Sequence, residues 1–588
     1  MSGPNDAGMS RNSSAICGRR APPYNKQEDT PSLDIKEDNN PPEDVNSALE
    51  EVLRHAGEMG LYQKLLFLGM LPLGITWSFV YFGQMFITAT PQEHWCWVPE
   101  LADLTPELRL NLSTPMTSDS EYDRCRMFDA NWTVVLKELL PPDPSTPTIP
   151  CQNGWEFLFD DIPYDTVVSE RDWVCDKANL VPWSQTISFV GSMCGNILFG
   201  SMADRFGRMP VLMAANLVGG IGSIASIFTK SFWDFVAARF LVGMANNQCF
   251  MLMYILVLEY VGVKYRTAVA NMSIALYFGG GCIALPWLAY WVADWRLLMI
   301  ISSVPMFLVV IAPFTIPESA RWLTSKGRHD DAVKILRRFE KVNGTKIPQE
   351  SIDKFIIASK NQTISDEGIL TLFKIPILRN IVLVLVGCVL CTALAFDSLI
   401  RMLENIGFNF FVTFTITSAT EIPSILLVVL LLDRYGRRWL YMIPMLLIFG
   451  PTLVAAFLGD GLAKLILVTG ARFCSNMSYN VIIQWTPELM PTPVRAAGSA
   501  LIHTLASAAI IVSPFVVYTY RIWVGLPLSI VSAGALAGAL ISWLLPETMG
   551  EMMPQTVEDV QALRDKENAT RKKNKKSKKA GTTDLTQI

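Results

Sequence analysis

Long apolar runs alternate with short polar breaks along most of this chain, and the run lengths set the first expectation. They fall near 63–89, 181–203, 209–228, 233–258, 267–291 and 296–316. A polar gap follows, and then come 379–399, 408–432, 439–459, 462–486, 496–518 and 522–545. A bilayer core about 30 Å thick needs roughly 20 apolar residues of α-helix to cross it. One such run suits a buried helix of a soluble core. Twelve of them predict twelve membrane-spanning helices, arranged six, gap, six.

The same pattern divides the chain. Residues 1–62 form a polar N-terminal tail, and 63–316 a first six-helix half with a long insertion, 91–180, after its first span. Residues 317–378 are a polar connection, 379–546 a second half, and 547–588 a basic tail. Pro22, Pro23, Pro41, Pro42 and the acidic stretch from Glu28 to Asp44 predict a disordered first tail. The N-terminus lacks the pattern of a cleaved secretory signal, so the first span is expected to act as an uncleaved anchor.

Composition agrees with this reading. Of 588 residues 51% are hydrophobic and 17% charged, against about a quarter charged in soluble domains. The net charge of −4 says little, because the charges are segregated by side. Arg205 and Arg208, Lys264 and Arg266, and the cluster Lys326, Arg328, Lys334, Arg337, Arg338 and Lys341 fall in alternate loops. The last tail carries Arg571, Lys572, Lys573, Lys575, Lys576, Lys578 and Lys579. Short Lys/Arg-rich loops stay cytoplasmic, which places both termini inside. A nucleic-acid role for the last basic run is not expected behind twelve spans; a solvated, lipid-facing tail is.

Insertion 91–180 then lies outside. It holds Cys96, Cys125, Cys151 and Cys175, and sequons at Asn111 (with Ser113) and Asn131 (with Thr133). Four cysteines in an oxidising compartment predict two disulfides, with three connectivities open. The other cysteines, among them Cys194, Cys249, Cys388 and Cys474, are expected to be small packing residues. Sequons at Asn343, Asn361 and Asn568 fall on the opposite side and are expected to be unused.

The two halves repeat one element. Gly200-Ser201-Met202-Ala203-Asp204-Arg205-Phe206-Gly207-Arg208 follows the second span, and Asp433-Arg434-Tyr435-Gly436-Arg437-Arg438 the eighth. Glycine permits the bend. Asp204, Arg205 and Arg208, and likewise Asp433, Arg434 and Arg437, are expected to pair across the seam between neighbouring helices. Such a cluster is a latch, stable while buried and exchanged for water once it opens.

This pattern resembles the loop between helices two and three of the major facilitator superfamily, and two copies six spans apart resemble its paired halves. Pro317-Glu318-Ser319-Ala320-Arg321-Trp322-Leu323 is similar to the P-E-S-P-R-W-L element, with Ala320 where proline is usual. Glu259 to Arg266, Glu488 to Arg495 and Pro546-Glu547-Thr548 match further elements. The cysteine-bearing, glycosylated loop resembles the organic cation, anion and carnitine transporters of solute carrier family 22, whose members often carry six cysteines there rather than four. The resemblance covers roughly 60–550. It implies an all-α membrane protein, with twelve transmembrane helices in two pseudo-symmetric six-helix bundles of the major facilitator fold.

Ionisable residues inside spans are functional candidates by default. The deep ones are Asp397, Glu421, Arg472 and His503, while Arg239 is expected to snorkel to the cytoplasmic edge. Glu421, in a stretch resembling the family's A-L-x-E-x-P element, can attract an ammonium or pair with Arg472. Asp397 can serve a cation or proton. His503 and Ser507 share a helix face with Ser499, but no third group completes a nucleophile. Ser507 stands where the family's cation transporters usually carry Asp and its anion or carnitine transporters Arg. Phe250, Tyr254 and Tyr277 are aromatic candidates for cation–π contact.

The resemblance therefore implies a plasma-membrane transporter of small organic amines or zwitterions working by alternating access, with or without a coupling ion. A sugar-porter-like facilitator, an organic anion transporter and a non-transporting receptor or scaffold remain alternatives. No catalytic residue, cofactor or metal site is expected.

Overall fold

The computed structural model describes residues 45–116, 122–360, 369–405, 407–551 and 553–566. Ten of its helices are long and apolar enough to cross a membrane: Leu61–Ile87, Cys175–Phe206, Arg208–Ile227, Phe232–Glu259, Lys264–Val292, Trp295–Thr315, Pro376–Glu404, Phe410–Tyr435, Arg437–Ala456 and Thr492–Arg521. Leu462–Glu488 and Leu526–Ser542 complete the second half. The first of these two carries Lys464, Arg472, Asn476 and Asn480, which dilute its hydropathy. The other has only 17 residues. The chain is an all-α membrane protein with two six-helix halves and small β-ladders in its insertion.

Three spans are irregular in mid-course, two of them at a proline. The fifth holds a π-turn, Ile274–Gly279, between Val263–Ser273 and Gly280–Val292. The sixth tightens into a 3-10 helix at Val304–Ile311, where Pro305 withholds a donor. The eighth divides into Phe410–Ala419 and Glu421–Tyr435. Pro423 lies in the first turn of the second piece, so the Ala419 carbonyl loses its usual i+4 partner. That break sits at Glu421.

The insertion folds as a small domain at one end of the bundle, hereafter the domain end. His94–Cys96 pairs antiparallel with Trp155–Phe157, and Arg126–Phe128 with Thr148–Pro150. Cys96, Val98, Leu101, Leu112, Met127 and Val135 form its core. Of the three open connectivities the structure adopts Cys96–Cys151 and Cys125–Cys175. Asn111 and Asn131 are exposed.

At the other end, the turn end, the polar connection folds into Ala320–Ser325, His329–Asn343, Gln349–Lys360 and Ile369–Lys374. Residues 1–44, the basic run 571–579 and the sequons at Asn361 and Asn568 lie outside the described residues. Disorder through residue 62 is corrected: Val45–Ala56 is a helix. Its stripe of Ala48, Leu49, Val52, Leu53 and Ala56 is buried against the helices of the connection, and a stripe at that spacing drives docking. Asn343 holds the joint. Its Nδ2 donates to Ala56 O (2.8 Å) and Gln63 Oε1 (3.0 Å), and its Oδ1 accepts from Tyr62 N at 2.8 Å. Its amide is therefore occupied. Cys194 is exposed on the second span rather than packed.

Candidate functional site

The break in the eighth span brings Glu421 to Arg472 of the tenth. Arg472 Nη2 lies 3.7 Å from Glu421 Oε2, both side chains being almost fully buried. That is an ion pair but longer than a hydrogen bond. Arg472 Nη1 donates to Phe396 O, and its guanidinium sits 3.8 Å from the Phe396 ring centroid. Phe396 stacks in turn on Tyr479. Thr417 Oγ1, Ser418 Oγ, Ser475 Oγ, Asn476 Oδ1 and Arg472 Nε are buried without hydrogen-bond partners. Ser475 and Asn476 follow Arg472 by one turn on the same helix face, Thr417 and Ser418 lie just before the break, and Asn476 Nδ2 donates to Thr420 Oγ1, next to Glu421, at 3.3 Å. Opposite charges and spare polar capacity thus meet in one place in the second half.

Asp397 is buried but not free. Arg401 Nε donates to its Oδ2 at 2.5 Å, and Tyr81 OH reaches its Oδ1 at 3.5 Å. The seventh span runs to Arg401, two residues beyond the apolar run. Arg401 lies outside the apolar run and so outside the expected span, although its i,i+4 spacing from Asp397 marks it as a partner. Arg401 Nη1 also donates to Gln185 Oε1 of the second span at 2.9 Å, joining the halves.

The other candidates separate. Phe250 stacks on Trp77 and Tyr254 within the first half. Tyr277 is fully buried and its hydroxyl donates to Phe67 O at 2.6 Å, a bond between the first and fifth spans. Ser507 lies on the seam between the halves. It accepts from Asn196 Nδ2 at 3.3 Å and donates to His503 O at 3.2 Å, and Asn196 Oδ1 accepts from Asn247 and Gln248. Arg239 does not snorkel. It is buried in the domain-end half of the fourth span, where Nε and Nη2 donate to Gln84 Oε1, because the fourth span starts at that end.

The repeated turns use partners the sequence reading quoted without a role. In the first half Glu318 accepts the backbone N–H groups of Arg208 (2.9 Å) and Met209 (3.1 Å). In the second Glu547 accepts those of Arg437 (2.9 Å) and Arg438 (3.0 Å). Each carboxylate lies 110 residues beyond its arginine. A negative charge at a helix N-terminus satisfies orphan donors and the dipole together. Gly207 (φ +107°) and Gly436 (φ +83°) make room, since an added Cβ would meet these carboxylates at 2.4 and 2.8 Å. Arg437 Nε also meets Glu488 Oε2 at 2.9 Å.

Asp204 and Asp433 each bridge their own i+4 arginine, at 3.3 Å, with side chains 79% and 87% exposed. Arg205 and Arg434 are exposed. The expected pairing between neighbouring helices is present, Asp204 of the second span with Arg208 of the third and Asp433 of the eighth with Arg437 of the ninth, but its aspartates face solvent, and carboxylates of the sixth and twelfth span ends hold the third and ninth spans. At the domain end the halves are joined by Arg401–Gln185, by Thr90 N to Glu404 Oε1 (2.8 Å) and by Arg521 Nη1 to Cys175 O (3.2 Å).

A two-half helical carrier of this design matches known proteins along most of its length. The sequence profile of the sugar (and other) transporter family matches residues 158–559. The β-alanine transporter of Drosophila melanogaster is 32% identical over 87% of this chain and 89% of its own. Solute carrier family 22 member 3 of Rattus norvegicus is 31% identical over 87% and 96%, and the Drosophila melanogaster carcinine transporter 30% over 89% and 80%. Among solved structures, the inward-open xylose transporter XylE from E. coli superposes with a TM-score of 0.54 at 16% identity, covering 85% of this chain and 99% of that one. The chain belongs to the major facilitator superfamily, in the organic cation, anion and carnitine transporter family of the solute carrier family 22 type.

Proposed function

We propose that the chain carries small organic amines and zwitterions across the plasma membrane by alternating access, with the pair Glu421–Arg472 as the central site. The buried pair at 3.7 Å is the observation that carries this reading. An ammonium has Glu421 to meet and a carboxylate has Arg472, and the neutral Ser507 selects neither sign. Transport of β-alanine and carcinine, named for two relatives, supports the same class. A sugar brings no charge to either member of the pair, so it forgoes the charge-assisted bonds that an ammonium or a carboxylate makes there.

The disulfide-bonded domain faces the outside in this reading and both termini the cytoplasm. Exposed Asn111 and Asn131, two disulfides and the Lys/Arg-rich turn end support that orientation. The halves bonded at the domain end and the solvent-facing Asp204 and Asp433 then suit an inward-facing state. Uptake by expressing cells of labelled β-alanine, carnitine, tetraethylammonium, an aromatic carboxylate and xylose tests the reading. Zwitterion or amine uptake is expected; uptake confined to xylose or the carboxylate overturns it.

A further inference from the structure

A cavity of about 580 Å³ lies at the domain end, walled by both halves and by the cysteine-rich domain. It is separate from the Glu421–Arg472 pair, and its lining carries charges of both signs. Most are matched. Arg124 Nη2 meets Glu93 Oε1 at 2.9 Å, Lys464 Nζ meets Asp460 Oδ1 at 2.9 Å, and Arg401 is held by Asp397. Two are left. Among the described residues, the Glu404 carboxylate accepts the Thr90 N–H alone and Arg521 donates to the Cys175 carbonyl alone. Neither has an ion-pair partner among the described residues.

The floor is formed by Arg401, whose bond to Gln185 crosses between the halves. Below it lies a pocket no larger than a water molecule, shared by Arg401, Tyr81, Gln84 and Arg239. Arg401 and Gln185 line both spaces, and their bond joins the halves between them.

We propose that this vestibule is a second solute site, a loading site for small zwitterions, with the ammonium taken by Glu404 and the carboxylate by Arg521. The proposal rests on the reading of the chain as an amine and zwitterion carrier. One carboxylate and one guanidinium without ion-pair partners sum to zero charge, so a solute carrying both signs satisfies both. A bare cation engages only Glu404 and a bare anion only Arg521, which is exposed, so either singly charged solute makes one charge-assisted contact where a zwitterion makes two. Asp161, which accepts from Gln92 N on the same rim at 3.1 Å, adds to the pull on an ammonium. Tyr518 and Tyr520 also line the cavity and supply apolar ring surface.

Equilibrium binding of tritiated β-alanine to the purified full-length protein tests this. Two sites per chain are expected in wild type. Glu404→Gln or Arg521→Gln should each leave one, and the paired change Glu421→Gln with Arg472→Gln should leave the other. Loss of only the site dependent on Glu421 and Arg472 bears on the central reading, and loss of only the site dependent on Glu404 and Arg521 on the vestibule. In the paired variant, ethylammonium and propionate should compete at least about tenfold more weakly than β-alanine, roughly 1.4 kcal/mol. Failure of that variant to retain β-alanine, retention of both sites by the Glu404 and Arg521 variants, or equal competition by the singly charged probes overturns the proposal.

Discussion

Arg472 Nη2 stands 3.7 Å from Glu421 Oε2, with both side chains buried and the guanidinium stacked on Phe396. Removing one member of a buried pair strands the other charge and costs about 3–5 kcal/mol, whereas removing both is often nearly neutral. Glu421→Gln should therefore lower the melting temperature and abolish uptake. Glu421→Gln together with Arg472→Gln should recover most of the stability and none of the uptake. Thermal melts and uptake measured on the same preparations check this. Recovery of uptake by the double variant would make the pair structural only.

Glu318 and Glu547 govern how the third and ninth spans seat against the sixth and twelfth. Glu318→Gln or Glu547→Gln should depress maximal uptake several-fold and leave half-saturation within a few-fold, since neither touches the central site. Asp204→Asn and Asp433→Asn should act in the same direction but less, because exposed ion pairs are worth only about 0.2–1 kcal/mol. Saturation curves normalised to surface protein decide it; lost affinity at unchanged capacity would contradict the gating role.

Exposed Asn111 and Asn131 lead to a simple prediction. Glycosidase treatment should lower the apparent mass of protein from intact cells, and Asn111→Gln with Asn131→Gln should abolish that shift. A double variant that runs with the same mobility as untreated wild type would place the domain on the other side of the membrane or leave the sequons unused.

The span pattern was legible because crossing a bilayer demands a run of fixed length, which polar breaks punctuate. Arg401 was not legible, since the apolar run stops before it and only the continued helix turns it back onto Asp397. The helix at Val45–Ala56 was hidden by polar surroundings, its stripe too short to mark a span. Glu421 and Arg472 stood out as charges inside apolar runs, and their meeting agrees with one of the two roles weighed for them. Glu318 and Glu547 sat in quoted motifs, yet their part as caps on helices 110 residues away depends on chain reversal. The disulfide pairing was open for the same reason: spacing alone does not say which strands become neighbours.

His94 makes the domain sensitive to acid. Burial lowers its pKa from 6.5 to about 4, Arg124 and Arg521 add to the shift, and the Pro91 carbonyl bonded to Nδ1 opposes it. The folded state thus binds fewer protons than the unfolded state between those values. Its contribution is fully present above pH 6.5 and is lost as pH falls through about 4. Melting temperature should fall across that window, and His94→Gln should flatten that part of the profile. An unchanged slope would remove His94 as the cause.

Charge selection is the last test and turns on Ser507. Its hydroxyl accepts from Asn196 Nδ2 at 3.3 Å, so it lies where spans of the two halves meet, and it carries no charge. A substrate with an ammonium and a carboxylate can satisfy Glu421 and Arg472 together. A pure cation leaves Arg472 unmatched, and a pure anion leaves Glu421. Ser507→Asp adds a negative charge at the seam, with the Asn196 amide still able to donate to it, and should tilt preference toward simple cations. Ser507→Arg should tilt it toward anions. The shift should be about 1–3 kcal/mol, the usual scale of coupling between two binding events. Competition by a matched cation, anion and zwitterion against each variant measures it. Identical profiles for wild type and both variants would remove Ser507 from substrate selection, and a strong wild-type preference for the bare cation would sink the zwitterion assignment.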